Sequence, residues 1–129
     1  MSLSDIRISP TSVMPVRHPT TGAHLLTADG RPMTITLAGT DSAQFRLASA
    51  QLTSLLQKKR GKGLSAGDME DHVLRTLTAC TEGWVLELED GVDHPFSKDA
   101  AMDLYRELRW LREQADEWIN DRANYLGES

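Results

Sequence analysis

Met33-Thr34-Ile35-Thr36-Leu37-Ala38-Gly39-Thr40-Asp41-Ser42 is where the chain changes from one kind of periodicity to another. Met33, Ile35 and Leu37 alternate with two threonines, and the β-branched content fits a pleated, half-buried surface, so residues 33–37 read as a strand. Gly39 ends that strand. Thr40 or Asp41 then offers a side-chain oxygen to cap a helix. Beyond this point Phe45, Ala48, Leu52, Leu55 and Leu56 recur at helical spacing, which gives a helix from about 41 to 60 that Gly61 and Gly63 stop.

On the N-terminal side of this junction the chain reads as strand and loop. Four of its five prolines, Pro10, Pro15, Pro19 and Pro32, lie there, and proline removes a backbone donor and marks turns and sheet edges. Val13 to His18 forms one extended segment, followed by a turn at Thr20-Thr21-Gly22. Ala28-Asp29-Gly30-Arg31 is a second turn, feeding the strand at 33–37. A small antiparallel hairpin unit over 1–40 follows.

On the C-terminal side, Ser65 with Asp68 forms a capping box, and Met69, Val73, Leu77 and Cys80, widened by Leu74, continue a second helix to about 82. Gly83 is expected to close it just before Trp84. Trp84 to Glu89 reads as either a short strand or a helix tail, and residues 85–96 as an acidic loop broken by Asp90-Gly91 and His94-Pro95. Ser97 and Asp99 then start a helix that meets no glycine or proline until Gly127. A single rod of roughly 28 residues would be about 42 Å long at ~1.5 Å per residue. That exceeds the width of a domain of this size, so the helix either bends near Leu108 to Trp110 or projects. The fold expected is α+β, mostly α, in one domain (1–129): a β and loop subregion at 1–40, then about four helices at 41–127.

The catalytic signals are weak. His18, His24, His72 and His94 are scattered without metal-ligand spacing, and one cysteine, Cys80, on the apolar stripe of its helix, reads as a small buried hydrophobe. No nucleophile elbow or phosphate loop is present. The acidic residues at 82–93 lack the spacing of a calcium loop. No catalytic residue, cofactor or metal is assigned, and a non-enzymatic protein is expected. The single cysteine fits a reducing compartment. Met1 to Pro10 lacks the apolar core of a signal peptide, so a cytoplasmic location is expected.

Two features point to contacts. Residues 1–64 hold eight basic and three acidic residues, a surplus of five positive charges, whereas residues 65–129 hold six basic and sixteen acidic, a surplus of ten negative ones. The basic excess concentrates at Lys58, Lys59, Arg60 and Lys62, and the acidic excess includes Glu87, Glu89, Asp90 and Asp93. These runs are either solvated surface or complementary patches for head-to-tail self-association. In addition, six of the seven aromatic residues fall in the last third. On the last helix, beside a stripe of Leu111, Ala115, Ile119 and Leu126, a second stripe runs through Trp110, Trp118 and Tyr125, which with Leu126 are the candidate partner contacts. It either packs on the preceding helices or is presented to a partner.

The order of these segments resembles the tail assembly chaperones of long-tailed bacteriophages and prophages. The resemblance rests on His18-Pro19-Thr20-Thr21-Gly22, the strand entering a helix through Gly39-Thr40-Asp41-Ser42-Ala43-Gln44-Phe45-Arg46, and the Lys58 to Lys62 run. It continues through Glu82-Gly83-Trp84, the acidic loop to Pro95-Phe96-Ser97, Trp110-Leu111-Arg112-Glu113-Gln114, and Asp121-Arg122-Ala123-Asn124-Tyr125-Leu126. It departs from the family where a helix break, often proline, is expected just before Trp110; here Arg106-Glu107-Leu108-Arg109 stands. The resemblance implies a non-enzymatic, oligomeric protein of the bacterial host cytoplasm, absent from the mature virion. Its partners would be the tape measure protein and the tail tube protein. A structural tail or head-completion component is the alternative, and a small nucleic-acid-binding regulator using the Lys58 to Lys62 patch a second one, which the acidic net charge of −5 disfavours.

Overall fold

A computed structural model describes residues 2–59 and 62–127. The fold is α+β and mostly α: a small antiparallel sheet covered by four helices. β1 (Thr11–Pro15) and β2 (Thr34–Ala38) pair antiparallel, with Met14 opposite Ile35. The alternation at 33–37 has its expected consequence, because Ile35 and Leu37 are fully buried while Thr34 and Thr36 are only partly covered. Between the strands the chain turns at Gly22 and at Gly30, where φ is +73° and +86°, values that glycine adopts without a Cβ clash.

α1 (Ala43–Lys59) begins two residues later than expected. Ser42, not Thr40 or Asp41, is its cap: the Phe45 N–H donates to Ser42 Oγ at 3.2 Å, and that hydroxyl donates to the Gly39 carbonyl at 2.6 Å. α2 (Ala66–Cys80) starts at the capping box foreseen, with the Asp68 N–H donating to Ser65 Oγ at 3.0 Å and the Ser65 N–H to the Asp68 carboxylate at 3.1 Å.

The largest correction is at the end of α2. Gly83 does not close that helix. Thr81 does, and the chain passes directly into β3 (Thr81–Val85), which completes the sheet in the order β1-β2-β3. Trp84 therefore sits on a strand, opposite Ile35. The acidic segment is also more ordered than a loop. β4 (Glu87–Glu89) and β5 (Val92–Asp93) form a hairpin turning at Gly91, φ +76°.

The last helix does break. α3 (Lys98–Glu107), capped by Ser97, ends at Leu108, which has φ −107° and ψ 84°, and α4 (Arg109–Ile119) begins immediately after. A 3-10 turn at Arg122–Tyr125 brings the chain back, where Ile8 bridges Leu126 and the Gly127 N–H donates to the Arg7 carbonyl at 2.8 Å. The core lies between the sheet and α2, α3 and α4: Met14, Val16, Ile35 and Leu37 meet Leu74, Leu77, Leu104, Tyr105, Leu111 and Ile119. α1 is outermost and packs mainly along α2.

Candidate protein-interaction surfaces

The aromatic stripe expected on the last helix is divided by the structure. α4 buries Leu111, Ala115 and Ile119, while Trp110 and Trp118 pack partly covered against the same core. Tyr125 is not beside them on a continuing helix. The turn after Ile119 carries its ring into the interior, beneath Gly39, where a Cβ would stand 2.9 Å from the ring. Tyr125 is thus a core residue, and its ring presents no surface. Its hydroxyl has no hydrogen-bond partner among the described residues, and burial pushes its pKa up. Leu126 remains 54% exposed.

Trp118 lines an open cleft of about 540 Å³ between α4 and the 15–22 loop, with Met14, Pro15, His18 and Pro19 opposite it. Gln114 ties the two walls together. The Arg17 N–H donates to its Oε1 at 3.1 Å, and its Nε2 donates to the Arg17 carbonyl at 2.7 Å. The Trp118 indole N–H is buried without a partner among the described residues.

The basic run sits at the tip of the α1–α2 hairpin. The Ser65 N–H, together with Lys59 paired at 3.1 Å and the Ser65 hydroxyl, holds the Asp68 carboxyl below the usual carboxylate range. Lys58 and Lys62 are exposed, and Arg60 lies outside the described residues. Behind the tip, α1 is unusual for a helix of 17 residues in burying only Ala48. A groove of about 470 Å³ runs between α1 and α2, floored by Ala48, Leu52 and Leu55 and rimmed by Lys58, Asp71 and Arg75.

The acidic residues are not equivalent. Glu87 folds back, its Oε1 accepting from the Ala28 N–H at 2.9 Å and the Gly91 N–H at 3.2 Å, so it builds the hairpin. Glu89, Asp90 and Asp93 are exposed, and so are Leu88 and Val92 between them. Behind the hairpin, Trp84 donates its indole N–H to the His94 carbonyl at 2.7 Å and meets Phe96 edge-on at 4.9 Å.

Two further structural devices carried no sequence signal. Lys98 Nζ donates to the carbonyls of Thr78, Ala79 and Thr81 at 3.1, 3.2 and 2.7 Å, neutralising the end of α2 from the start of α3. Tyr105 shares a buried 2.7 Å hydrogen bond with Thr81. Burial pushes the Tyr105 hydroxyl up to about 12 and the Cys80 thiol up to about 11. Among the described residues no group of three His, Cys, Asp or Glu side chains could hold a metal ion, and no helix is long and apolar enough to cross a membrane.

No family model, no curated protein and no solved structure matches this chain.

Proposed function

We propose that this protein is an assembly chaperone of the long-tailed phage and prophage class, acting in the host cytoplasm. It would cover the apolar face of a long helical tape measure protein until tail tube subunits replace it. The observation that carries this reading is the groove between α1 and α2. Its apolar floor of Ala48, Leu52 and Leu55 and its charged rims have the character of a site for an amphipathic helix. A single groove of this size gives modest affinity. Many copies on one long helix give avidity, while each copy stays individually displaceable by a tube subunit.

The groove takes the role that Trp110, Trp118 and Tyr125 held in the sequence reading. Of those residues, the half-buried Trp110 and Trp118 and the exposed Leu126 remain available as secondary contacts.

The test is co-expression with a tape measure protein of a long-tailed phage, taken from the chain's own genome if one is encoded there. The chain is expected to move the tape measure protein into the soluble fraction. Ser54→Trp, placed at an exposed position on the groove wall, is expected to abolish that rescue while leaving the circular dichroism unchanged. A tape measure protein that stays insoluble with the wild-type chain overturns the proposal. So does recovery of the chain in purified mature particles by mass spectrometry, which would favour the virion component instead.

A further inference from the structure

The cleft beside Trp118 shares no lining residue with the groove between α1 and α2, and both of its walls are fixed before anything enters. On the loop wall, His18 Nδ1 accepts from the Thr20 and Thr21 N–H groups at 3.2 and 3.3 Å, and the Gly22 N–H donates to the His18 carbonyl at 3.0 Å. On the helix wall, Gln114, Glu117, Trp118 and Asp121 follow at i, i+3, i+4 and i+7, a single face of α4 continued just past its end. The Gln114 amide joins the two walls through both backbone groups of Arg17. Walls set in advance spare a ligand much of the ordering cost of binding.

Three properties of the cleft select its ligand. The first is that it offers no strand ladder. The Pro10 carbonyl accepts from Gly39 and the Val16 N–H donates to Met33, so in this antiparallel register residues 11, 13 and 15 turn their backbone groups to the outer edge. Pro15 has no N–H to offer there, and Gln114 already takes both groups of Arg17. A chain in the polyproline II conformation needs no ladder, because its backbone makes no regular hydrogen bonds. The second is the lining: the half-buried Trp118 and Pro15 and the exposed Pro19 are flat apolar surfaces of the kind that receive proline rings. The third is charge. Glu117 and Asp121 are exposed, and neither joins an ion pair among the described residues. Asp121 spends one oxygen on the Ala123 N–H at 3.1 Å. Arg17, the cation of the loop wall, donates to the Gly22 carbonyl at 3.2 Å. The helix wall therefore presents two carboxylates one helical turn apart, a match for a guanidinium.

We propose that this cleft binds a proline-rich, arginine-bearing peptide segment in the polyproline II conformation. Its prolines lie against Trp118 and Pro15, and an arginine sits between Glu117 and Asp121. The Trp118 indole N–H is covered and has no acceptor among the described residues, so no hydrogen bond anchors the ring. On binding, the ring turns and donates that N–H to a peptide carbonyl. An open cleft of about 540 Å³ takes only a few residues, so affinity is modest, and the arginine contact weakens with salt. The site is separate from the α1–α2 groove and does not rest on the tape measure reading.

The experiment is a titration of the full chain, labelled with nitrogen-15, with a blocked heptapeptide of sequence PPRPPRP, followed through the indole N–H signals of the three tryptophans. The Trp118 signal, assigned through Trp118→Phe, is expected to shift saturably, while that of Trp84, bonded to the His94 carbonyl, stays in place. Glu117→Gln with Asp121→Asn keeps the cap on Ala123 and the side-chain shapes. It is expected to weaken binding about tenfold, the worth of one charge-assisted hydrogen bond. The peptide PPEPPEP, with glutamate for arginine, and the peptide AARAARA, with alanine for proline, are each expected to bind at least tenfold more weakly than PPRPPRP. A Trp118 signal that does not move at millimolar PPRPPRP overturns the proposal. Equal binding of either control peptide, or unchanged affinity of the Glu117→Gln, Asp121→Asn chain, overturns it equally.

Discussion

At the scale of single residues, the contact between Gly39 and Tyr125 leaves no room for a larger side chain. A methyl group at position 39 would meet the Tyr125 ring at 2.9 Å, and overpacking a closed core costs about 1–3 kcal/mol. Gly39→Ala is expected to lower the urea midpoint accordingly, whereas Tyr125→Phe is expected to be neutral or stabilising, because the hydroxyl it removes has no partner. Cys80 gives a pH dependence. Its thiol titrates near 9 when free and at about 11 in the folded core. Below pH 9 both states hold the proton, and the contribution of burial to stability is complete. Between 9 and 11 only the unfolded chain loses the proton, so stability falls as pH rises. Tyr105, raised to about 12, extends the loss from 10 to 12. Denaturation curves between pH 7 and 11 should show this decline, and Cys80→Ala should flatten its first part.

At the scale of elements, the sharpest test concerns the break between α3 and α4. Leu108, with ψ at 84°, has already left the helical region that proline disfavours in its predecessor, and Arg109 is the first residue of α4, where a helix has no use for its N–H. Arg109→Pro is therefore expected to leave stability within about 0.5 kcal/mol or raise it slightly, although proline elsewhere in α4 would cost about 3 kcal/mol. Thermal melts of Arg109→Pro beside Glu113→Pro would show the contrast. Lys98→Met keeps the aliphatic stem but removes the cation from three carbonyls at the end of α2. It is expected to cost about 1–2 kcal/mol by chemical denaturation. The elements themselves were largely legible: period two at 33–37, helical stripes from 45 and 69, and the caps at Ser65 and Ser97 all read correctly. What stayed hidden depended on tertiary partners. Thr81 to Val85 becomes a strand because β2 has an open edge beside it, not because Gly83 or Trp84 says so. Tyr125 leaves the aromatic stripe because the chain turns after Ile119, and Gly39 gave no hint that a ring lies over it. The groove between α1 and α2 was invisible because it arises from the spacing of two helices, each of which reads as ordinary.

At the scale of the whole molecule, the division into a β part and a helical part does not correspond to independent units. β3 comes from beyond residue 80 yet completes the N-terminal sheet, and Met14 and Ile35 share one core with Leu77 and Leu111. A fragment covering 41–127 is expected to lack a cooperative thermal transition, and addition of a 1–40 peptide to restore it, as followed by near-ultraviolet circular dichroism.

The pairing of Ile8 with Leu126 brings the first and last described segments of the chain together. Closing a loop of nearly the full chain length carries the largest ordering entropy of any contact here, although that cost grows only logarithmically with length. This bridge is therefore expected to be among the first contacts to open, with early hydrogen exchange at the Gly127 N–H as the readout.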